Sequence, residues 1–108
     1  VMTVEFSRPL GATAKKRLEN LGYTNIGFRI GDGREGWPEK APYDRILATV
    51  AFPEKPDRLL DQLSPQDGIA LLPVGPSSET QSLVRYRKSG AGITEERLSF
   101  VRFLSLRQ

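Results

Sequence analysis

The tripeptide Gly31-Asp32-Gly33 sets one carboxylate between two glycines, and a polar segment follows before the apolar run that begins at Ile46. A second carboxylate, Glu5, stands near the end of a short β-branched and apolar stretch, Val1 to Phe6. Carboxylates accept hydrogen bonds from hydroxyl and amino groups. Glycines beside one of them let a flat ring approach the backbone and tolerate positive φ. An irregular segment as long as the one after Gly31 is usually functional or disordered. The sequence holds no histidine and no cysteine. That excludes histidine general bases, histidine-containing triads, thiolate nucleophiles, disulfides and the usual zinc sites.

The elements that must position these groups can be read in order. The 108 residues suffice for one domain, 1–108, with a modest core. Ser7 can cap a helix, Pro9 is tolerated in its first turn, and Gly22 can end it. Between them Leu10, Ala14, Leu18 and Leu21 recur at helical spacing, which predicts a helix over 7–21 with a core-facing stripe. Asn25 to Ile30 is a second short strand. Tyr43 to Ala51 is a third, nearly continuous in apolar residues from Ile46, as suits a strand buried on both faces. A short helix is expected over 56–63 from Leu59, Leu60 and Leu63. Gly68 to Val74 is a fourth strand, again buried in character. Gln81 to Lys88, a turn at 89–92, and Ile93 to Leu106 read as a hairpin of antiparallel strands. Strand–helix alternation followed by a hairpin predicts an α/β fold, mainly parallel, with antiparallel C-terminal strands.

In this frame Glu5 ends the first strand and Asp32 follows the second. Open α/β sheets bind ligands outside the carboxyl ends of their strands. Glu5 and Asp32 could therefore hold a nucleoside, one at the sugar and one at the base. Alternatively Glu5 favours a helix dipole and Gly-Asp-Gly is only a turn.

The residues also carry a resemblance. The segments LGY-N (21–25), GDG-x-x-G (31–36), APYDRI (41–46), PVG followed by Q-x-L (73–83) and the terminal VRF (101–103) occur in the order and spacing of protein-L-isoaspartate O-methyltransferases. The similarity covers essentially the whole chain and resembles the second half of those enzymes. It implies a three-layer Rossmann-like methyltransferase sheet. It also implies transfer of a methyl group from S-adenosylmethionine to the α-carboxyl of isoaspartyl residues in peptides or proteins, the start of their repair. By resemblance Glu5 matches the carboxylate at the cofactor ribose, and Asp32 and Gly33 the turn beside the adenine. Thr49 matches the active-site rim, and Val101, Arg102 and Phe103 the segment near the substrate peptide. A carboxylate acceptor with a pKa near ~4 is already ionised and needs no general base, so alignment can supply most of the catalysis. No catalytic side chain is assigned.

Two departures stand out. Val50 and Phe52 occupy positions where the family usually has small residues, so a different substrate rim is expected. The family's first strand, its glycine-rich cofactor loop and its N-terminal substrate segment do not occur in this sequence. The expectation is a partial methyltransferase domain lacking that strand and loop, with weak or absent binding of S-adenosylmethionine and no activity by itself. In the family sheet the first strand lies between the strand ending at Glu5 and the strand containing Ile46. Without it, two rows of backbone groups lose a partner. The gap closes, stays open, or is filled by a missing N-terminal half or by strand exchange in a homo-oligomer.

Other features have simpler readings. Arg85, Arg87 and Lys88 around Tyr86 read as a solvated hairpin edge rather than a nucleic-acid patch, and the net charge of +3 is spread along the chain. Trp37 is either a lid or part of a small satellite cluster. No apolar run approaches the ~20 residues needed to span a bilayer, and the first residues do not read as a secretory peptide. A cytoplasmic protein with no nucleic-acid or membrane partner is expected. Two further functions stay open: a non-catalytic protein- or peptide-interaction module, and a nucleoside-binding domain of other chemistry.

Overall fold

Ser7 begins the first helix as the sequence requires. Its hydroxyl oxygen accepts from Leu10 N at 3.3 Å, and the helix α1 spans Arg8–Asn20. Before it lies strand β1, Met2–Glu5; after it lies β2, Gly27–Ile30. These pair in parallel, Met2 opposite Gly27 and Glu5 opposite Ile30. The computed structural model describes residues 1–76 and 80–103. The chain continues as β3 (Arg45–Leu47), α2 (Asp57–Leu60), β4 (Gly68–Val74), β5 (Gln81–Ser89) and β6 (Gly92–Val101). Leu104 to Leu106, expected to extend the last strand, lie outside the described residues.

The strands form two sheets, β1-β2 and β3-β4-β5-β6. Two of the four strand pairings are parallel, β1 with β2 and β3 with β4, and the two longest are antiparallel. Among the described residues the two-stranded sheet is parallel and the four-stranded sheet is mixed, so the strands taken together are mixed rather than mainly parallel. The physical reason is that β1 and β3 are short and each pairs on one side only. Among the described residues no pairing closes the gap expected between them.

The core sits on the four-stranded sheet. Ala70 lies opposite Tyr86 and Leu72 opposite Val84. These cross-strand pairs form a floor on which Phe52, Leu59, Leu60 and Leu63 pack. The apolar run from Ile46 is shared between structures. Only Arg45–Leu47 is strand, while Ala51 and Phe52 turn into the core, and Phe52 bridges to Val74. Burial on both faces fails for β3, because Leu47 is 71% exposed beside the open edge.

The stripe on α1 is not core. Leu10 is 58% exposed and Leu21 67%, Ala14 is exposed, and Leu18 is half-buried. The only buried residue of α1 is Gly11. There the helix approaches the sheet so closely that a Cβ would lie 2.2 Å from Ile30 Cδ1. A two-stranded sheet is too narrow to cover the leucines flanking that contact.

Candidate functional site

The parallel register of β1 and β2 brings their carboxyl ends together. Glu5 pairs with Ile30, and Gly31 N donates to Glu5 O at 2.9 Å. Glu5 and the Gly31-Asp32-Gly33 turn thus lie at one end of one sheet. The Glu5 Oε1 accepts from Ser7 N at 3.1 Å, just before the first turn of α1. Among the described residues no donor reaches its Oε2. That oxygen suits a ligand hydroxyl.

Asp32 does more than mark a turn. It caps the 3-10 turn Gly33–Glu35, its Oδ1 accepting from Arg34 N at 2.9 Å. The Arg34 guanidinium also reaches it, Nη2 to Oδ2 at 2.6 Å and Nε to Oδ2 at 3.0 Å. That hydrogen-bonded guanidinium holds the carboxyl below its ordinary range, with burial opposing more weakly. A nucleoside donor at Asp32 would share the carboxylate with Arg34. The residues present fit half of a nucleoside: two carboxylates at adjacent strand ends and Gly33 without a side chain to obstruct a ring.

The residues expected near the substrate lie on the other sheet. Thr49 is exposed in the bend after β3, at that strand's carboxyl end. Val101 ends β6 opposite Gln81, the first residue of β5. Because β5 runs antiparallel to both neighbours, this end of β5 lies beside the carboxyl ends of β4 and β6. Arg102 is exposed, and Phe103 N donates to Gln81 Oε1 at 2.8 Å. Phe52 is buried in the core rather than on the rim, and Val50 packs against that core. The feared change of rim at these two positions is a change of packing.

The long polar segment joins the two sheets. Gln62, which follows α2 and is buried, donates from Nε2 to Glu35 O at 2.8 Å and accepts at Oε1 from Trp37 N at 3.0 Å. Gly36 has φ +62° and lies so close that a Cβ would be 2.4 Å from Gln62 Oε1. Glu35 also pairs with Arg58 of α2. From the other side, a Cβ on Gly27 of β2 would lie 3.5 Å from Trp37 Cη2, and the Arg29 guanidinium stands 6.0 Å from the Trp37 ring centre. Tyr43 Oη donates to Trp37 O at 2.6 Å. Trp37 is therefore a packing residue between β2 and the segment after α2.

Arg34, Gln62 and Gln81 were not singled out from the sequence, though Gln81 lies in the quoted Q-x-L motif. The hairpin cations are accounted for locally. Tyr86 is 1% exposed, Arg85 pairs with Glu96, Arg87 Nε lies 3.1 Å from Asp67 Oδ1, and Lys88 Nζ donates to Asp61 O at 3.2 Å. Tyr86, buried beneath them, is not available to interleave with them. Among the described residues no helix is long and apolar enough to cross a membrane.

The sequence is 48% identical over 106 residues to a protein-L-isoaspartate O-methyltransferase of Maricaulis maris, a match covering 98% of this chain and 49% of that protein. It is 44% identical over 108 residues to the corresponding protein of Parvibaculum lavamentivorans, covering 98% of this chain and 48% of that one. The chain thus spans about half the length of these relatives. A solved protein-L-isoaspartate O-methyltransferase superposes with a TM-score of 0.90 at 32% identity, over 100% of this chain and 34% of the other. The family description Protein-L-isoaspartate(D-aspartate) O-methyltransferase (PCMT) matches residues 1–108. Matched to the family over its whole length and sharing the fold of that solved enzyme, the chain belongs to the protein-L-isoaspartate O-methyltransferase family.

Proposed function

We propose that this chain forms the C-terminal part of a protein-L-isoaspartate O-methyltransferase and is inactive without the remainder of that enzyme. The observation that carries the reading is the juxtaposition of Glu5 and the Asp32 turn at the carboxyl ends of paired parallel strands, in a chain that matches the family along its whole length. Glu5 would hold the ribose of S-adenosylmethionine, and Asp32 with Gly33 the adenine edge. Thr49 and Val101 to Phe103 would border an isoaspartyl peptide. When bound, S-adenosylmethionine supplies an electrophilic methyl group. This chain's residues contribute orientation, and no proton transfer is required of them.

The open edges of β1 and β3 and the uncovered leucines of α1 and β3 support a doubly wound sheet whose intervening strand comes from outside this sequence. Glycine-loop amides from that same portion would complete the nucleoside clamp. Effective molarity from alignment is worth roughly 7–11 kcal/mol of barrier, so this chain alone is expected to transfer no methyl groups. The same apolar face also favours a second reading, a module that binds another protein without catalysis.

A radiolabelled methyl-transfer assay with an isoaspartyl peptide separates the two. The chain is assayed alone and fused behind the N-terminal half of the Maricaulis maris relative. Turnover by the fusion only is the expected result. Turnover by the 108-residue chain itself overturns the requirement for a second half, and an inactive fusion favours the interaction module.

A further inference from the structure

We propose that Gln81 is a positioning residue that holds the Val101–Phe103 segment against the turn after β4 and so sets the peptide-facing rim. The inference rests on the functional reading above for what that rim does, but the strap itself stands on geometry. The β5–β6 ladder ends at the pair Gln81–Val101. Beyond it Phe103 finds a side chain in place of a strand. Its N–H donates to Gln81 Oε1 at 2.8 Å, and its carbonyl accepts from Gln81 Nε2 at 3.4 Å. The same Nε2 donates to Pro76 O at 3.0 Å. One amide therefore ties the exit of β6 to the turn that follows β4.

Two observations show that this is a built arrangement. Gln81 is 1% exposed, so its amide is shielded from competing water and its partners would be left unsatisfied without it. Gly75 has φ +142°, and a Cβ there would lie 3.2 Å from Gln81 Cα. Gly75 thus lies close against Gln81, in a backbone conformation that L side chains rarely adopt. A side chain both donating and accepting is required, which asparagine is too short to supply and an isosteric hydrocarbon cannot.

Glutamate at this position gives a test that a purely structural role would not pass. Ionised, Gln81→Glu keeps the acceptor for Phe103 N–H but turns a negative oxygen toward the carbonyls of Pro76 and Phe103. Protonated, it regains one donor. Gln81→Leu keeps volume and loses the bonds to Pro76 and Phe103.

Two measurements decide the matter. In the 108-residue chain, hydrogen exchange at the Phe103 amide is expected to be protected, and, against the parent at the same pH, to lose protection in Gln81→Leu and in Gln81→Glu at about pH 8 but to regain it in Gln81→Glu at about pH 5.5. In the fusion enzyme, the KM for the isoaspartyl peptide is expected to rise roughly tenfold in both variants. The KM for S-adenosylmethionine should stay unchanged, and Gln81→Glu should regain peptide affinity at the lower pH. Unchanged exchange at Phe103 overturns the strap. Faster exchange with an unchanged peptide KM, or an equal rise for peptide and cofactor, overturns its role at the rim. A reference fusion without activity refutes the functional reading instead, and the exchange measurement still decides whether Gln81 holds Phe103.

Discussion

Arg34 grips the carboxylate of Asp32 from both sides of the same turn: its backbone N–H bonds Oδ1 at 2.9 Å and its Nη2 lies 2.6 Å from Oδ2. Two residues apart in sequence, they close a small ring of charge at the end of β2. The pair leaves Asp32 ionised and fixed in direction, which is what a carboxylate needs if it is to meet a flat, hydrogen-bonding group repeatedly in one geometry.

The first prediction concerns that pair. The Arg34 guanidinium holds the Asp32 carboxyl below the ordinary carboxylate range. A group with a depressed folded pKa contributes stability above its unfolded pKa and loses it as pH falls through the folded value. Arg34→Ala should raise the Asp32 pKa toward the ordinary carboxylate range, read from its carboxyl carbon by NMR titration. The variant should also lose less stability between neutral and acid pH than the parent does. An Asp32 titration unmoved by the substitution would show that Arg34 does not control it.

The second concerns the staple between the sheets. Gln62→Leu removes the partners of Trp37 N and Glu35 O together. A fully buried group left unsatisfied costs about 1–3 kcal/mol; Trp37 is half-buried and Glu35 exposed, so urea unfolding should register a loss toward the lower end of that range. Trp37 emission should shift to the red as its segment loosens. Gly36→Ala, strained at φ +62° and in collision with Gln62, should produce the same spectral change.

These features explain what was legible in the sequence. Helix α1 could be read because Ser7, Pro9 and Gly22 act locally, through a cap, a fixed φ and a left-handed exit. The strand over 68–74 could be read because its apolar run is used in one way only. The run from Ile46 serves strand, bend and core in succession, so its pattern overstated β3. Amphipathicity reports which face of a helix needs cover and not whether cover is present, and Leu10 and Leu21 were misjudged on that account. Buried amides have no period, so Gln62 and Gln81 were hidden. Arg34 could have been found, since an arginine two residues after a capping aspartate is within reach of it.

The third prediction is that stability is unevenly distributed. The buried cluster lies on β4, β5 and α2, whereas α1 buries only Gly11. Few buried apolar contacts mean cheap local opening. Amide exchange should be slowest at Ala70, Leu72, Val84 and Tyr86 and fast throughout β1, α1 and β2. Leu72→Ala should cost about 2–5 kcal/mol and accelerate exchange across the whole four-stranded sheet. Equal protection in the two sheets would refute this hierarchy.

The last prediction tests the uncovered face itself. Leu10 stands exposed on α1, Leu21 just after its last residue, and Leu47 on the open side of β3. Exposed positions away from special contacts tolerate substitution, typically within about 0.5 kcal/mol. Leu10→Lys and Leu21→Lys should therefore leave urea unfolding of this chain nearly unchanged and reduce its self-association. Assembly with a separately expressed N-terminal half should respond differently. Burying a leucine contributes about 1.5–3 kcal/mol, so each substitution should weaken that assembly by roughly ten- to a hundredfold. Titration calorimetry between the two fragments gives the comparison directly. The control is Leu60→Lys, whose parent side chain is fully buried: it should unfold the chain outright. If Leu10→Lys or Leu21→Lys destabilises the isolated chain as Leu60→Lys does, those leucines are core and the face is not a surface awaiting a partner. If both leave fragment assembly intact, the second half does not dock there.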